Sequence, residues 1–274
     1  MIYYSDHYLI NQNYSNLLKI ETHQFFICFN ILKNQAVSIS QAPFGGIMTK
    51  AEYSNEDLSK FIENMKAKLR ANGVNSISII QPPAYYDQFV PLKQMLNHNF
   101  ESSMEEVNQY VNLNHREIHV MEKRILAKET SLHIEVREDF ETAHYFIAKC
   151  RREQGLTINI SEEKLLNLVK STHGKYKLYT ATYDRKWAAA VITVDATEDI
   201  RYYYLPATSQ SMKKMHPMVY LLDKIYYDAQ NDGLKYLDLG KSSIKGEIQA
   251  GLHTFKKRMG AADSTVTELR AEIQ

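Results

Sequence analysis

Apolar and polar residues alternate along Leu132-His133-Ile134-Glu135-Val136-Arg137, and that period of two predicts a strand. The spacing then changes to a helical one. Phe140, Ala143, Ile147 and Cys150 share one face, with Asp139 as a capping residue before them and Gly155 beyond them. Ser161, followed by Glu162 and Glu163, starts a second helix whose stripe is Leu165, Leu168 and Val169, and Gly174 stops it. Three strands are expected next, at Tyr176–Thr182, Trp187–Val194 and Ile200–Leu205, separated by polar turns. The middle strand is almost wholly apolar, so it belongs inside a sheet. Pro206 is read as the end of the third strand.

Pro217 suits the first turn of a long helix, where its missing N–H costs nothing. Met218, Leu221, Leu222, Ile225 and Ala229 form the buried stripe, and Gly233 ends the helix. A strand over Leu234–Leu239, a short helix over Ile248–Arg258 and a strand over Ser264–Leu269 complete the order β-α-α-β-β-β-α-β-α-β. The first half reads as a shorter version. Strands are expected at His23–Leu32 and Gln35–Ser40. A helix capped by Ser54 buries Leu58, Phe61, Ile62, Met65 and Leu69, and Gly73 ends it. A strand at Val74–Ile80, a short helix at Gln88–Asn97 and a strand at Val107–Leu113 follow. The helix-Gly-strand unit at Gly73 recurs at Gly233, which is the mark of an internal duplication. The charged stretch His115–Glu129 predicts a helix bridging the two halves.

Composition narrows the class. The 274 residues suffice for one large or two small domains. A formal charge of +1 gives no dominant field for nucleic acid or membrane. No apolar stretch approaches the roughly 20 residues of a membrane helix, and the N-terminus has no signal-peptide pattern. The two cysteines, Cys28 and Cys150, lie far apart, which argues against a disulfide framework and for a reducing, cytoplasmic setting. His115 and His119 stand four apart but lack further ligand types, so no metal site is expected.

The strand order, Tyr236-Leu237-Asp238-Leu239-Gly240 after Gly233, and Gly251-Leu252-His253-Thr254-Phe255-Lys256 with Met259-Gly260-Ala261 together resemble the GNAT superfamily of N-acyltransferases. The stretch Trp187–Ala261 is similar to the second domain of the Fem-type aminoacyltransferases, which extend peptidoglycan stem peptides from aminoacyl-tRNA. Pro43-Phe44-Gly45-Gly46-Ile47 resembles a strand-end segment of their first domain. The resemblance implies an α/β fold of two tandem GNAT-like domains with mixed sheets flanked by helices. The expected division is a truncated domain over 1–125 and one with the complete strand order over 126–274. It also implies a bacterial acyl- or aminoacyltransferase, with no tightly bound cofactor. The co-substrate would be acyl-CoA or aminoacyl-tRNA, and the acceptor an amine of a peptide, a cell-wall precursor or a small molecule. The loop Ser209–His216, where GNAT enzymes carry spaced glycines for a pyrophosphate, has none. That fits the Fem-like branch, whereas the near-neutral charge argues against tight tRNA binding.

The residues suggest where chemistry could sit. Acyl transfer to an amine needs a cation or donors at the developing oxyanion and groups that move protons. Lys256 matches the lysine that the resemblance places at the transition state; it could also be a solvated member of Lys256-Lys257-Arg258. Asp238, between two leucines, is either a base or an anchor for the Gly240 loop. Lys241 and Ser242 follow as substrate-binding candidates. Ser209, Lys213, Lys214 and His216 precede a helix N-terminus and could hold an anion. Phe44, Gly45 and Gly46 would allow close backbone approach to a substrate, or make only a turn. Tyr202 and Tyr204 share one strand face and could line a cleft. A ligand-binding protein that keeps the duplicated fold without catalysis is the alternative.

Overall fold

The computed structural model describes residues 1–12, 14–39 and 41–273. They form two compact units, each assembled from separated stretches of chain. The first comprises Met1–Asn11, Gln109–Gly240 and Gln249–Asp263, and the second Gln12–Asn108, Lys241–Ile248 and Ser264–Gln274. The single division expected between residues 125 and 126 falls inside the first unit.

A 3₁₀ turn at Ile2–Tyr4 and helix α1 (Asp6–Asn11) open the chain and belong to the first unit. The second unit follows with β1 (Leu17–Glu21), β2 (Phe25–Leu32), β3 (Gln35–Ser38), the short β4 (Met48–Thr49), helix α2 (Asn55–Ala71), β5 (Ser76–Gln81) and α3 (Leu92–Leu96). Strand β3 is shorter than expected, and Ser40 lies outside the described residues. Strand β6 (Glu101–Asn112) begins in this unit and ends in the first. Ser54 caps α2 as expected, and Asp57 answers with its carboxylate to make a reciprocal capping box. The five apolar residues read from the sequence are all buried, packed against Phe25, Ile27, Phe29, Ile77 and Ile79. Strand β3 pairs parallel with β5 only from Gln35/Ser76 to Val37/Ser78.

The first unit continues with α4 (Val120–Leu126), β7 (His133–Arg137), α5 (Phe140–Arg152), α6 (Glu162–Ser171), β8 (Tyr176–Tyr183), β9 (Lys186–Asp195), β10 (Ile200–Thr208), α7 (Pro217–Asn231) and β11 (Tyr236–Lys241). The charged stretch is helical only over α4, shorter than expected. Strands run in the order β11-β10-β9-β8-β7, parallel between β10 and β11 and antiparallel elsewhere. Strand β9 is central and buried from Ala188 to Val194, in keeping with its apolar run. Helix α7 sets Leu221, Leu222, Ile225, Tyr226 and Ala229 against Val191, Tyr203, Leu237 and Leu239. Beyond β11 the short strands β12 (Ser243–Ile244) and β13 (Glu247–Ile248) form a hairpin in the second unit, where a helix start was expected. Helix α8 therefore covers only Ala250–Arg258, and β14 (Ala262–Glu272) is longer than expected at both ends. Among the described residues no helix is long and apolar enough to cross a membrane.

Pro206 does not end β10, which runs on to Thr208 with Pro206 opposite Val191. The register explains why. Ser209 donates its amide to Ala188 O, so in this ladder the odd-numbered residues point their backbone groups at β9. Pro206 points its nitrogen to the other edge, where no strand needs a donor.

Candidate functional site

That edge is where β10 and β11 part. Their parallel register covers Ile200/Tyr236, Arg201/Leu237 and Tyr202/Asp238 and stops there. A bulge between Tyr203 and Leu205 turns β10 away. Past the parting, β11 would present the amide and carbonyl of Gly240 unpaired, and buried backbone groups must find partners. Side chains supply them. Asp238 Oδ1 accepts from Gly240 N at 2.8 Å, and Lys256 Nζ donates to Gly240 O at 2.9 Å. Gly240 itself sits at φ +74°, and a Cβ there would lie 3.2 Å from the Tyr202 hydroxyl. Only glycine meets both conditions without strain.

Lys256 is 3% exposed and Asp238 0%. The basic run Lys256-Lys257-Arg258 thus divides by helical geometry. Lys256 turns inward on α8 while its two neighbours stay exposed. Burial brings the Lys256 ammonium down from 10.5 to about 8, and the Asp238 carboxylate works against that fall. Around them stand Tyr202 and Tyr204, both half-buried, with ring centroids 6.3 Å apart, and Tyr176 lies 6.3 Å from Tyr204. Burial, reinforced by Asp238, raises the Tyr202 phenol well above its ordinary value, so it stays a hydroxyl donor across the physiological range. Arg151 on α5 interacts electrostatically with both tyrosines.

The other sequence candidates divide between the units. In the first unit, Lys214 and His216 line a cavity of about 320 Å³ with Lys128, Thr130, Ser131 and Tyr220. Two lysines and a histidine therefore meet beside the N-terminus of α7, and Glu129 lines the same cavity. Lys213 is exposed on the preceding 3₁₀ turn, and Ser209 pairs its hydroxyl with Ser211 at 2.9 Å; neither lines that cavity. In the second unit, Phe44 is 2% exposed and packs edge-on against Tyr86 at 4.4 Å. Gly45 donates its amide to Ile80 O, and a Cβ on Gly46 would lie 3.0 Å from both Gln81 and Pro82. These glycines let the backbone close on β5. Lys241 is exposed at the end of β11, while Ser242 is buried and donates its amide to Val107 O at 2.7 Å.

Two contributors were absent from the sequence reading. Tyr3, 3% exposed, interacts electrostatically with Tyr202, Tyr176 and Asp238, which brings the N-terminal segment to this face of the first unit. The spacing of Tyr3, Tyr4, Tyr8 and Leu9, all buried, was the available signal. Lys128 follows α4 and could be found only once the cavity was known.

A family model described as an acetyltransferase (GNAT) domain matches residues 115–257, just over half of the chain. No curated protein matches the sequence. Among solved structures the chain is similar to one described as FemX, with 12% identity and a TM-score of 0.68, covering 97% of this chain and 90% of that one. It is also similar to the C-terminal domain of a putative lysylphosphatidylglycerol synthetase from Agrobacterium fabrum, with 12% identity and a TM-score of 0.66, covering 95% and 86%. A tandem GNAT protein from the clavulanic acid biosynthesis pathway matches at 8% identity with a TM-score of 0.53, covering 91% of this chain and 78% of that one. At these identities the likeness is one of fold, and it extends over both GNAT-like units.

Proposed function

The chain belongs to the acetyltransferase (GNAT) family, and on that premise we propose that it transfers an acyl or aminoacyl group to an amine of a peptide, a cell-wall precursor or a small molecule. The observation that carries the reading is the buried Lys256–Gly240–Asp238 cluster at the point where β10 and β11 part. As an amine attacks an acyl carbon, negative charge builds on the carbonyl oxygen. A cation in a buried site opposes that charge far more strongly than one in water. With its value near 8, Lys256 is mainly protonated at neutral pH, and Asp238 keeps it so. Tyr202 supplies a hydroxyl beside Gly240, and Tyr204 lines the same edge. Lys214 and Lys128 offer positive charge to an anionic part of the donor, in a cavity that Glu129 also lines.

The donor is an acyl-CoA or an aminoacyl-tRNA. Two features weigh toward the ester. The Gly240 amide and carbonyl are already occupied by side chains of this chain, and Pro206 removes an amide from the open edge of β10. A pantetheine arm held in the manner of an added strand would lose those partners.

The test is to incubate the purified chain with acyl-CoAs and, separately, with charged tRNA, each with an amine acceptor, and to look for acylated acceptor by mass spectrometry. Product is expected with one donor, falling about 100-fold in Lys256→Ala and little in Lys257→Ala. No product with either donor would leave a ligand-binding protein. A wild-type rate in Lys256→Ala would remove that residue from the mechanism.

A further inference from the structure

One turn of α8 before Lys256, His253 sets its Nε2 at 3.1 Å from Asp263 Oδ1, at the start of β14. The same carboxylate oxygen accepts from the Gln109 side chain at 3.0 Å, and Gln109 also donates to the His253 carbonyl at 3.3 Å. Gln109 is 0% exposed, so a fully buried amide holds both partners in place. Lys257 faces the other oxygen of Asp263 at 3.5 Å. All of these residues belong to the first unit. A carboxylate can only accept, so the neutral ring carries its proton on Nε2 and its lone pair on Nδ1. Asp263 is itself 45% exposed, so the buried Gln109 amide is what holds it to the ring; an imidazole whose tautomer is set by a carboxylate is the arrangement of a general base with its orienting group. The His253 side chain keeps 22% exposure, enough to be reached. Residues three apart on a helix hold their Cβ atoms about 5–6 Å from each other, so this base lies on the helix turn next to the inward lysine.

We propose that His253, oriented by Asp263 and Gln109, accepts the proton of the acceptor amine in the transfer reaction. The proposal rests on the acyl-transfer reading above. As the amine nitrogen bonds to the acyl carbon, the carbonyl electron pair moves onto oxygen, opposite Lys256. The ammonium proton of the developing adduct passes to His253 Nδ1. The carbon–oxygen or carbon–sulfur bond to the donor then breaks, and the proton is returned to the departing alkoxide or thiolate. His253 is the catalytic residue in this step; Asp263 and Gln109 are positioning residues.

The test uses the full chain with whichever of acetyl-CoA or aminoacyl-tRNA supports turnover. Ethylamine, largely protonated at neutral pH, and hydroxylamine, largely unprotonated, serve as the acceptors. His253→Ala should lower kcat about 100-fold with ethylamine and only a few-fold with hydroxylamine, and added imidazole should restore the ethylamine rate. Asp263→Asn should lower kcat less and move the ring proton between nitrogens, read from ¹⁵N shifts of labelled histidine. His253→Gln, which keeps a polar side chain, serves if the alanine variant does not fold, and should show the same acceptor dependence. Equal losses with both amines and no imidazole rescue would mark His253 as structural and overturn the proposal. Wild-type rates in either His253 variant would also overturn it, while leaving acyl transfer intact. No turnover by the wild type with either donor would overturn the transfer reading and the dyad's role with it.

Discussion

Replacing Lys256 with methionine should remove a pH dependence from the stability of the fold. The lysine is 3% exposed, and its value falls from 10.5 to about 8 on folding, through burial that Asp238 offsets only in part. Between those limits the unfolded chain binds a proton that the folded chain has released. Stability therefore rises with pH across the window from about 8 to 10.5, and the full electrostatic cost stands below it. A gap of about 2.5 units at ~1.36 kcal/mol each gives about 3 kcal/mol. Buried tyrosines act in the opposite sense. Tyr202, Tyr203 and Tyr226 are held above their ordinary value by burial, so above pH 10 the unfolded chain ionises first and stability is lost. That loss is common to wild type and variant, so it drops out of their difference. Urea unfolding of both proteins from pH 6.5 to 10.5 reads the effect. The difference should be level below about pH 8 and then move by about 3 kcal/mol in favour of the wild type. A level difference across the whole range, or a move the other way, would refute the buried-cation account. Under the role proposed for Lys256 in the transfer reaction, the same titration should appear as a fall in kcat/KM as pH rises through about 8, because the proposed active form is the cation.

Gly240→Ala should cost about 1–3 kcal/mol by thermal melting, since alanine would be strained at φ +74° and its Cβ would press on Tyr202; an unchanged Tm would contradict the geometry. Arg201 is 0% exposed and bridges Asp195 and Asp232 while meeting the Tyr179 hydroxyl, so Arg201→Met should destabilise by about 3 kcal/mol, at the low end for a buried pair because Asp232 is 40% exposed. Burial raises Asp232, but hydrogen bonds from Lys177 and Arg201 outweigh it and lower its value, so this contribution is present above the ordinary carboxylate value and fades below it, as pH falls through the lowered one; a variant equally impaired at pH 3 and pH 7 would contradict this. Ser54→Ala should cost about 1 kcal/mol in chemical unfolding, because it removes Ser54 Oγ, which accepts from Asp57 N at 3.1 Å and donates to Asp57 Oδ2 at 2.8 Å.

Elements whose burial follows from their own period were legible in the sequence. Helices α2, α5 and α6 begin at the expected caps, Ser54, Asp139 and Ser161, and bury most of the predicted faces. What was not legible depends on partners distant in the chain. Strand β1 has only Ile20 fully buried, so its own pattern is faint. The hairpin β12–β13 is too short to read, and Glu106 holds it by accepting from Ser243 Oγ and from the amides of Lys245 and Gly246. Pro206 was misread because a proline is tolerated mid-strand only at an open edge, and that edge exists only because β10 and β11 part. Lys256 was visible as a candidate, but a run of three basic residues on a helix looks solvated until the fold shows which of them points inward.

The two units treat the same backbone problem differently, and the difference bears on where chemistry is possible. In each, a parallel strand pair ends after three residue pairs, at Val37/Ser78 in the second unit and at Tyr202/Asp238 in the first. Two residues beyond the last pair, one residue is left needing a donor and an acceptor: Ile80 in the second unit and Gly240 in the first. The Ile80 amide donates to Ser38 Oγ at 3.1 Å, and its carbonyl accepts from the Gly45 amide at 2.8 Å. Both of those partners are neutral, and neither changes charge near neutral pH. At Gly240 the partners are the Asp238 carboxylate and the Lys256 ammonium, two titratable groups taken out of water. Backbone satisfaction alone does not require charge there, since the second unit achieves it with a hydroxyl and an amide. Burying a charge is costly, and the about 3 kcal/mol carried by Lys256 below pH 8 is a measure of that cost. A cost that the fold can avoid elsewhere, yet bears at the parting of β10 and β11, is the reason we propose the first unit as the seat of the transfer chemistry. It also explains the division of the glycines. Gly45 and Gly46 let the backbone close the second unit's gap, whereas Gly240 holds the first unit's gap in a conformation whose amide and carbonyl are met by two charged side chains.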